Sequence, residues 1–224
     1  MTRRMLGKPA PARRGPTPRG ISTLPPTGAP STTAPGNRAE VDAALGANPL
    51  TGRLAYARER VRAIADFPQP GILFRDITPL LADPKAFHMV IDCLVEHFIG
   101  QTIDAIVAID SRGFIFGAPL ASRLNTSFVP ARKPGKLPGE TLSVEYGLEY
   151  GRSSLQMHRG ALVKGAQVVV IDDVLATGGT AAAAGELVLA QGARVLSYAF
   201  LIELDALGGR SKLGSTPVLS LLHF

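Results

Sequence analysis

The sequence contains one cysteine, Cys93, and no tryptophan. A lone thiol cannot close a disulfide within the chain, which excludes a cystine-stapled secreted scaffold. The expectation is a reduced, cytoplasmic protein with Cys93 as a structural thiol in the apolar stretch from His88 to Ile99. No apolar run reaches the roughly 18 residues that a membrane-spanning helix needs, so no membrane partner is expected. Arg3 and Arg4 are followed by no apolar segment, and a secretory signal is excluded on that ground. The four histidines, His88, His97, His158 and His223, lack metal-ligand spacing, and no direct metal ligands are assigned.

Acidic residues are missing from the first 38 positions, which hold seven basic ones; the rest of the chain carries 17 basic against 18 acidic residues. The formal charge of +6 therefore describes a tail attached to a nearly neutral body, and no nucleic-acid partner is expected. Eight of the 18 prolines fall within the first 36 residues, which show no apolar periodicity. Such a composition cannot offset its own ordering entropy. Residues 1–52 read as a disordered basic Pro/Arg-rich extension with a weak helical start at Glu40–Leu45, and residues 53–224 as one domain. The extension reads as dispensable or as a misplaced start; an interaction arm or an organelle transit peptide are the alternatives.

What remains is rich enough in apolar residues, 46% of the chain, to bury a core. Leu54, Ala57, Val61 and Ile64 recur at helical spacing, predicting a charged helix that stops at Phe67-Pro68. Asp83-Pro84 announces a second helix, with Phe87, Val90, Ile91, Leu94, Val95 and Phe98 inside and Gly100 as its stop. Strands and helices then alternate: Ile103–Ile109, Phe114–Leu124, Ser127–Ala131, Val168–Ile171, Thr180–Gln191 and Val195–Ile202. That alternation predicts an α/β fold, a parallel sheet covered by helices on both faces. Ligands in such sheets sit beyond the carboxyl ends of strands, which directs attention to the residues after Ile109 and Ile171.

The run from Val168 to Thr180 delivers two adjacent carboxylates, Asp172 and Asp173, beyond a strand, then a glycine-containing turn that opens a helix. Thr177 and Thr180 offer hydroxyls, Gly178 and Gly179 let backbone close on a ligand, and the helix start points amides outward: an anion cup for a phosphate. Two carboxylates beside that cup would repel a bare phosphate, so they should meet hydroxyls or a cation carried on a second phosphate. The lysine of a Walker A loop and the distant acid of a dinucleotide fingerprint are both missing. Asp110-Ser111-Arg112-Gly113 presents an arginine on a glycine turn at a helix start, suited to a pyrophosphate. Residues 132–151, with Arg132, Lys133, Lys136, several prolines and glycines and the pair Glu149-Tyr150, read as a mobile lid with a proton-handling candidate. Phe74, held between turn residues, suits stacking on a planar base or core packing.

The run from Val168 to Thr180 resembles the 5-phosphoribosyl-1-pyrophosphate (PRPP) signature of type I phosphoribosyltransferases. Taken in order, Phe67-Pro68-Gln69-Pro70-Gly71, Phe74-Arg75-Asp76-Ile77, Asp110 to Gly117, Arg132 to Gly139 and Leu148 to Gly151 make the chain from about Leu54 to Phe224 resemble the adenine phosphoribosyltransferase family. The resemblance implies the type I phosphoribosyltransferase fold, Rossmann-like, with a mobile lid and a small base-binding hood. It implies transfer of ribose 5-phosphate from PRPP to adenine, giving AMP and pyrophosphate, with Mg2+ accompanying PRPP, and a homodimer. By the same resemblance Asp172 and Asp173 address the ribose hydroxyls, Ala176, Thr177, Gly178, Gly179 and Thr180 the 5′-phosphate, and Arg112 and Lys136 the pyrophosphate. Phe74 and Leu204 would sandwich adenine, backbone atoms of Leu73 and Arg75 would read its edge, and Glu149 would relay the proton at N7. The extra acid in the lid, Glu145, is not accounted for by the resemblance. Two alternatives stay open: another purine base as acceptor, or a non-catalytic regulator that senses PRPP.

Overall fold

The computed structural model describes residues 49–148 and 151–224. Glu149 and the helical start expected at Glu40–Leu45 lie outside the described residues. The first described element is helix α1 (Pro49–Arg58), so Pro49 to Gly52 belong to a helix and not to the extension in which they were expected. Two short strands follow, β1 (Arg62–Ile64) and β2 (Phe74–Asp76), paired antiparallel with Ile64 opposite Phe74. The helix expected to run through Val61 and Ile64 is therefore wrong. Its helical part ends at Arg58, and Ile64 takes its backbone partner from β2, a pairing invisible to local periodicity.

Helices α2 (Thr78–Ala82) and α3 (Pro84–Phe98) come next. Asp83 caps α3 as expected, its side chain accepting from the amides of Lys85 and Ala86. Cys93 is buried on this helix, and burial pushes its thiol up to about 11, which keeps it protonated and unreactive.

The central sheet is built from β3 (Ala105–Ile109), β4 (Ser127–Ala131), β7 (Gln167–Leu175), β8 (Arg194–Glu203) and β9 (Val218–His223). All are parallel, in the order β4-β3-β7-β8-β9. Helix α4 (Gly113–Leu124) follows β3, and α5 (Gly179–Ala190) follows β7. The strands divide their side chains between two cores. Val169 and Ile171 of β7 pack with α3 and α4, whereas Val168 and Val170 pack with α5. A parallel strand covered on both faces must be apolar on both, which is why Val168–Ile171 reads as a continuous apolar run.

The strand does not stop at Ile171. β7 continues to Leu175, with Asp172 opposite Phe200 and Val174 opposite Ile202 of β8, so both acids lie inside the sheet and not past its end. The segment expected as a mobile lid, residues 132–151, contains β5 (Thr141–Leu148), which pairs antiparallel with β6 (Gly151–His158). After β8, two short 3-10 turns, Asp205–Leu207 and Gly209–Leu213, lead into β9, a strand that local patterning did not disclose.

Candidate active site

A cleft of about 280 Å³ opens at the carboxyl end of the sheet. Asp172 to Ala181 line one side, Ile72 to Arg75 and Leu204 another, with Arg112 between them. Segments far apart in sequence thus converge as α/β topology requires.

Two glycines bring Arg112 there. Gly113 and Gly117 stand one helical turn apart on the face of α4 that meets the sheet. A Cβ on Gly113 would lie 2.7 Å from the Ile171 carbonyl oxygen, and one on Gly117 would lie 2.7 Å from the Ala108 Cβ. Only at that approach does the start of α4 reach β7. Arg112 Nε then sits 2.8 Å from Asp173 Oδ2, an ion pair by distance without the alignment of a hydrogen bond, so that this buried oxygen has no hydrogen-bond donor among the described residues. The Asp173 side chain is 2% exposed and the Arg112 side chain 46%, so the acid is fixed and the cation faces the cleft. Asp172 accepts from the amide of Asp173 at 2.9 Å. Burial pushes the Asp172 carboxyl well above the usual carboxylate range, and the neighbouring charge of Asp173 adds to this. Asp173 is also raised by burial, against the pull of the Arg112 guanidinium.

The turn after β7 is a backbone cradle. Gly178, in the left-handed region at φ +79°, caps α5 without a side chain, leaving the start of the helix open to the cleft. A Cβ there would lie 2.3 Å from the carbonyl oxygen of Gly209, so only glycine fits. The β5–β6 hairpin leans over this turn: a Cβ on Gly179 would lie 3.3 Å from the Gly147 carbonyl oxygen.

On the opposite wall, half-buried Phe74 and Phe67 meet in a T-shaped pair with ring centroids 5.1 Å apart. The Arg112 guanidinium carbon lies 5.8 Å from the Phe74 centroid. Arg75 turns its side chain away, 4.3 Å from the Phe224 ring centroid, while Arg58 lies at the same distance from that ring. What Arg75 leaves for the cleft is its backbone. Leu73 and Leu204 complete an apolar wall with Phe74.

Of the expected site residues, the structure brings together Leu73, Phe74, Arg75, Arg112, Asp172, Asp173, the residues from Ala176 to Thr180, and Leu204. It does not bring Lys136 into this cleft. Its side chain is exposed on a turn, where its amide donates to the Lys133 carbonyl at 3.3 Å and its carbonyl accepts from Arg132 at 3.1 Å. Arg132 in turn reaches Asp110 Oδ2 at 2.9 Å, tying the base of the hairpin to the turn that carries Arg112. The cleft also contains Ile72, Val174, Leu175 and Ala181, which the sequence reading passed over although each adjoins a residue it named. Elsewhere, Glu203, Asp205 and His223 bring possible ligand atoms within 4.8 Å of one another, but the Glu203 carboxylate is already taken up by Arg210.

Residues 80–213 match the phosphoribosyl transferase domain family. The chain is 53% identical over 181 residues to an adenine phosphoribosyltransferase of Sorangium cellulosum, covering 79% of this chain and 90% of that protein. It is 58% identical over 164 residues to one from a Roseiflexus species, covering 73% and 95%. Among solved structures, the adenine phosphoribosyltransferase of Thermoanaerobacter pseudethanolicus superposes with a TM-score of 0.75 at 51% identity, covering 76% of this chain and 99% of that one. The Saccharomyces cerevisiae enzyme, solved with D-2,5-dideoxy-2,5-imino-altritol 1,6-bisphosphate and adenine, gives a TM-score of 0.72 at 44% identity, covering 76% and 98%. With the cleft, its glycine-built cradle and this similarity pointing the same way, the chain belongs to the phosphoribosyltransferase family, among the adenine phosphoribosyltransferases.

Proposed function

We propose that this chain transfers the 5-phosphoribosyl group of PRPP to adenine, giving AMP and pyrophosphate, a purine-salvage reaction, with the following division of labour. The carrying observation is the convergence of Asp172 to Thr180, Arg112 and the wall of Leu73, Phe74 and Leu204 on one cleft. The backbone from Ala176 to Thr180 takes the 5′-phosphate at the start of α5, where amides and the helix dipole favour an anion. Asp172 and Asp173 accept hydrogen bonds from the ribose hydroxyls. Adenine enters between Phe74 and Leu204 with its edge on backbone atoms of Leu73 and Arg75.

The bond from C1′ to the pyrophosphate oxygen breaks as the bond from the base nitrogen to C1′ forms, with inversion at that carbon. Positive charge develops on the sugar and negative charge on the leaving group, and Arg112 leaves Asp173 to meet the pyrophosphate oxygens. Lys136 comes to the same group from the base of the hairpin when the hairpin closes and excludes water. Glu149 accepts the proton that the base loses from N7. A magnesium ion carried on PRPP would meet the acceptor oxygens of Asp172 and of Asp173, whose Oδ2 already has a cationic neighbour in Arg112 at 2.8 Å. When bound, that ion would supply positive charge for the departing pyrophosphate. A cytoplasmic homodimer is the working assembly in this proposal, and residues 1–48 are dispensable for the reaction.

The test is product analysis with PRPP, magnesium and each of adenine, hypoxanthine, guanine and orotate, on the full chain and on one beginning at Pro49. AMP from adenine alone, in equal amounts from both, is expected. In Glu149→Gln, kcat should fall by roughly 10²–10⁴. An unchanged kcat would remove Glu149 from the mechanism, and no nucleotide from any base would sink the transferase reading.

A further inference from the structure

We infer that the Glu203–Arg210 ion pair is a positioning pair for the phosphate cradle: it seats the backbone of Gly209 against Ala176–Gly178 and so sets the geometry in which the 5′-phosphate is held. The inference rests on the function proposed above, and neither residue lines the cleft.

Glu203 ends β8, paired in register with Leu175, the last residue of β7. Its side chain is 7% exposed. Its carboxylate accepts from Arg210 Nε at 2.8 and 3.2 Å and from Arg210 Nη2 at 2.7 Å. Arg210 also donates from Nη1 to the Val218 carbonyl at 3.0 Å, so one guanidinium joins the end of β8 to the start of β9. The planar guanidinium meets the carboxylate through two of its nitrogens and the carbonyl through the third, whereas a lysine ammonium is a single point charge without that fork.

Gly209, next to Arg210, is where this tie meets the cradle. A Cβ on Gly209 would lie 2.2 Å from the Ala176 carbonyl oxygen and 3.0 Å from the Gly178 nitrogen, and a Cβ on Gly178 would lie 2.3 Å from the Gly209 carbonyl oxygen. Two backbones therefore touch without a side chain between them to absorb a shift, and close-packed contacts transmit displacement. Leu204, in contrast, has its own anchor, its amide donating to the Leu175 carbonyl at 2.9 Å. Loss of the pair should therefore disturb the phosphate site more than the base site.

The experiment compares Arg210→Gln and Arg210→Lys with the unaltered chain, using Arg123→Gln, which removes an exposed pair with Asp92, as the control. Steady-state KM values are measured for PRPP and adenine, and the Kd of ribose 5-phosphate by titration calorimetry, which needs no turnover. Arg210→Gln should raise the KM for PRPP and the Kd by roughly tenfold or more, since small misplacements at such sites are costly. The adenine KM should stay within about twofold, and Arg210→Lys should show a smaller rise. A role in stability alone would lower the melting temperature and leave the PRPP to adenine KM ratio unmoved. If Arg210→Gln does not fold, Arg210→Lys decides: a Kd equal to that of the unaltered chain overturns the inference. Absence of AMP synthesis in the unaltered chain, with ribose 5-phosphate still bound, sinks the transferase reading alone, and the Kd series still decides on the pair.

Discussion

Arg112 Nε and Asp173 Oδ2 stand 2.8 Å apart at the floor of the cleft, so the cation proposed for the leaving group is held by one of the two acids proposed for the sugar. The pair joins β7 to the start of α4. It also neutralises part of an otherwise unfavourable burial of two adjacent carboxylates.

Replacing Arg112 removes the partner of a buried charge and, in the proposed mechanism, a donor to the pyrophosphate. In Arg112→Gln, kcat should fall by roughly 10²–10³, the range for loss of one preorganised donor to developing negative charge. Steady-state kinetics at saturating PRPP and adenine would show it, and an unaltered kcat would remove Arg112 from the chemistry.

The two acids set a pH dependence. Burial first, and the charge of Asp173 next, hold the Asp172 carboxyl above its ordinary range. A carboxylate accepts from a ribose hydroxyl as the anion, so PRPP binding should be strongest above the raised pKa. The KM for PRPP should then rise as pH falls through it. For stability the sign is the reverse of the usual acid. A pKa raised on folding destabilises the fold increasingly as pH rises from the unfolded value through the folded one. Asp172→Asn should therefore melt higher at neutral pH while showing a high PRPP KM with a weakened pH dependence. A lower melting temperature for the variant would contradict this assignment of the burial cost.

Gly139 and Gly178 share left-handed backbone, at φ +77° and +79°, but not surroundings. A Cβ on Gly139 meets nothing within 4 Å, so Gly139→Ala should lose only about 1–2 kcal/mol, the cost of the backbone conformation. Gly178→Ala adds a collision with the Gly209 carbonyl oxygen and should lose more, together with ribose 5-phosphate binding. Thermal unfolding of the two variants checks the order; equal losses would show that the cradle yields.

Asp83 ties the start of α3 to the end of α1. It accepts from Arg60 Nε at 2.6 Å and Tyr56 Oη at 2.9 Å besides capping the helix. The Arg60 hydrogen bond first, then the Ala86 amide, lower its carboxyl from 3.8 to about 2. A depressed acid contributes stability above its unfolded pKa and loses that contribution as pH falls through the folded one. Asp83→Asn should thus melt lower than the unaltered chain at neutral pH, and the gap should narrow between about pH 4 and pH 2. A gap independent of pH would assign the loss to capping geometry alone.

Much of the lining of the cleft was legible because it is written in contiguous residues. A strand followed by Asp172, Asp173 and the turn to Thr180 specifies its hydrogen-bonding groups locally, as does Arg112 on its glycine turn. Helix α3 was legible for the same reason, since Asp83, Pro84 and an apolar stripe act within a few turns. The errors arose where partners are distant. Ile64 has helical spacing from Ala57 and Val61 yet pairs with Phe74, and Asp172 follows an apolar run yet remains in the sheet because Phe200 continues beside it.

Gly209 belongs to this second kind. Nothing within its neighbourhood in sequence marks it as the backing of the turn from Ala176 to Gly178, because those residues are more than thirty positions away. By itself the sequence determined which groups are available: two acids, an arginine, a glycine turn and an apolar wall, each encoded by residue type and short-range spacing. Only the tertiary structure decided that Arg112 rests on Asp173, that Lys136 stays outside the cleft, and that Glu203 and Arg210 stand behind the cradle. Those relationships follow from strand order and from how closely backbones without side chains can approach, and neither is a local property of the chain.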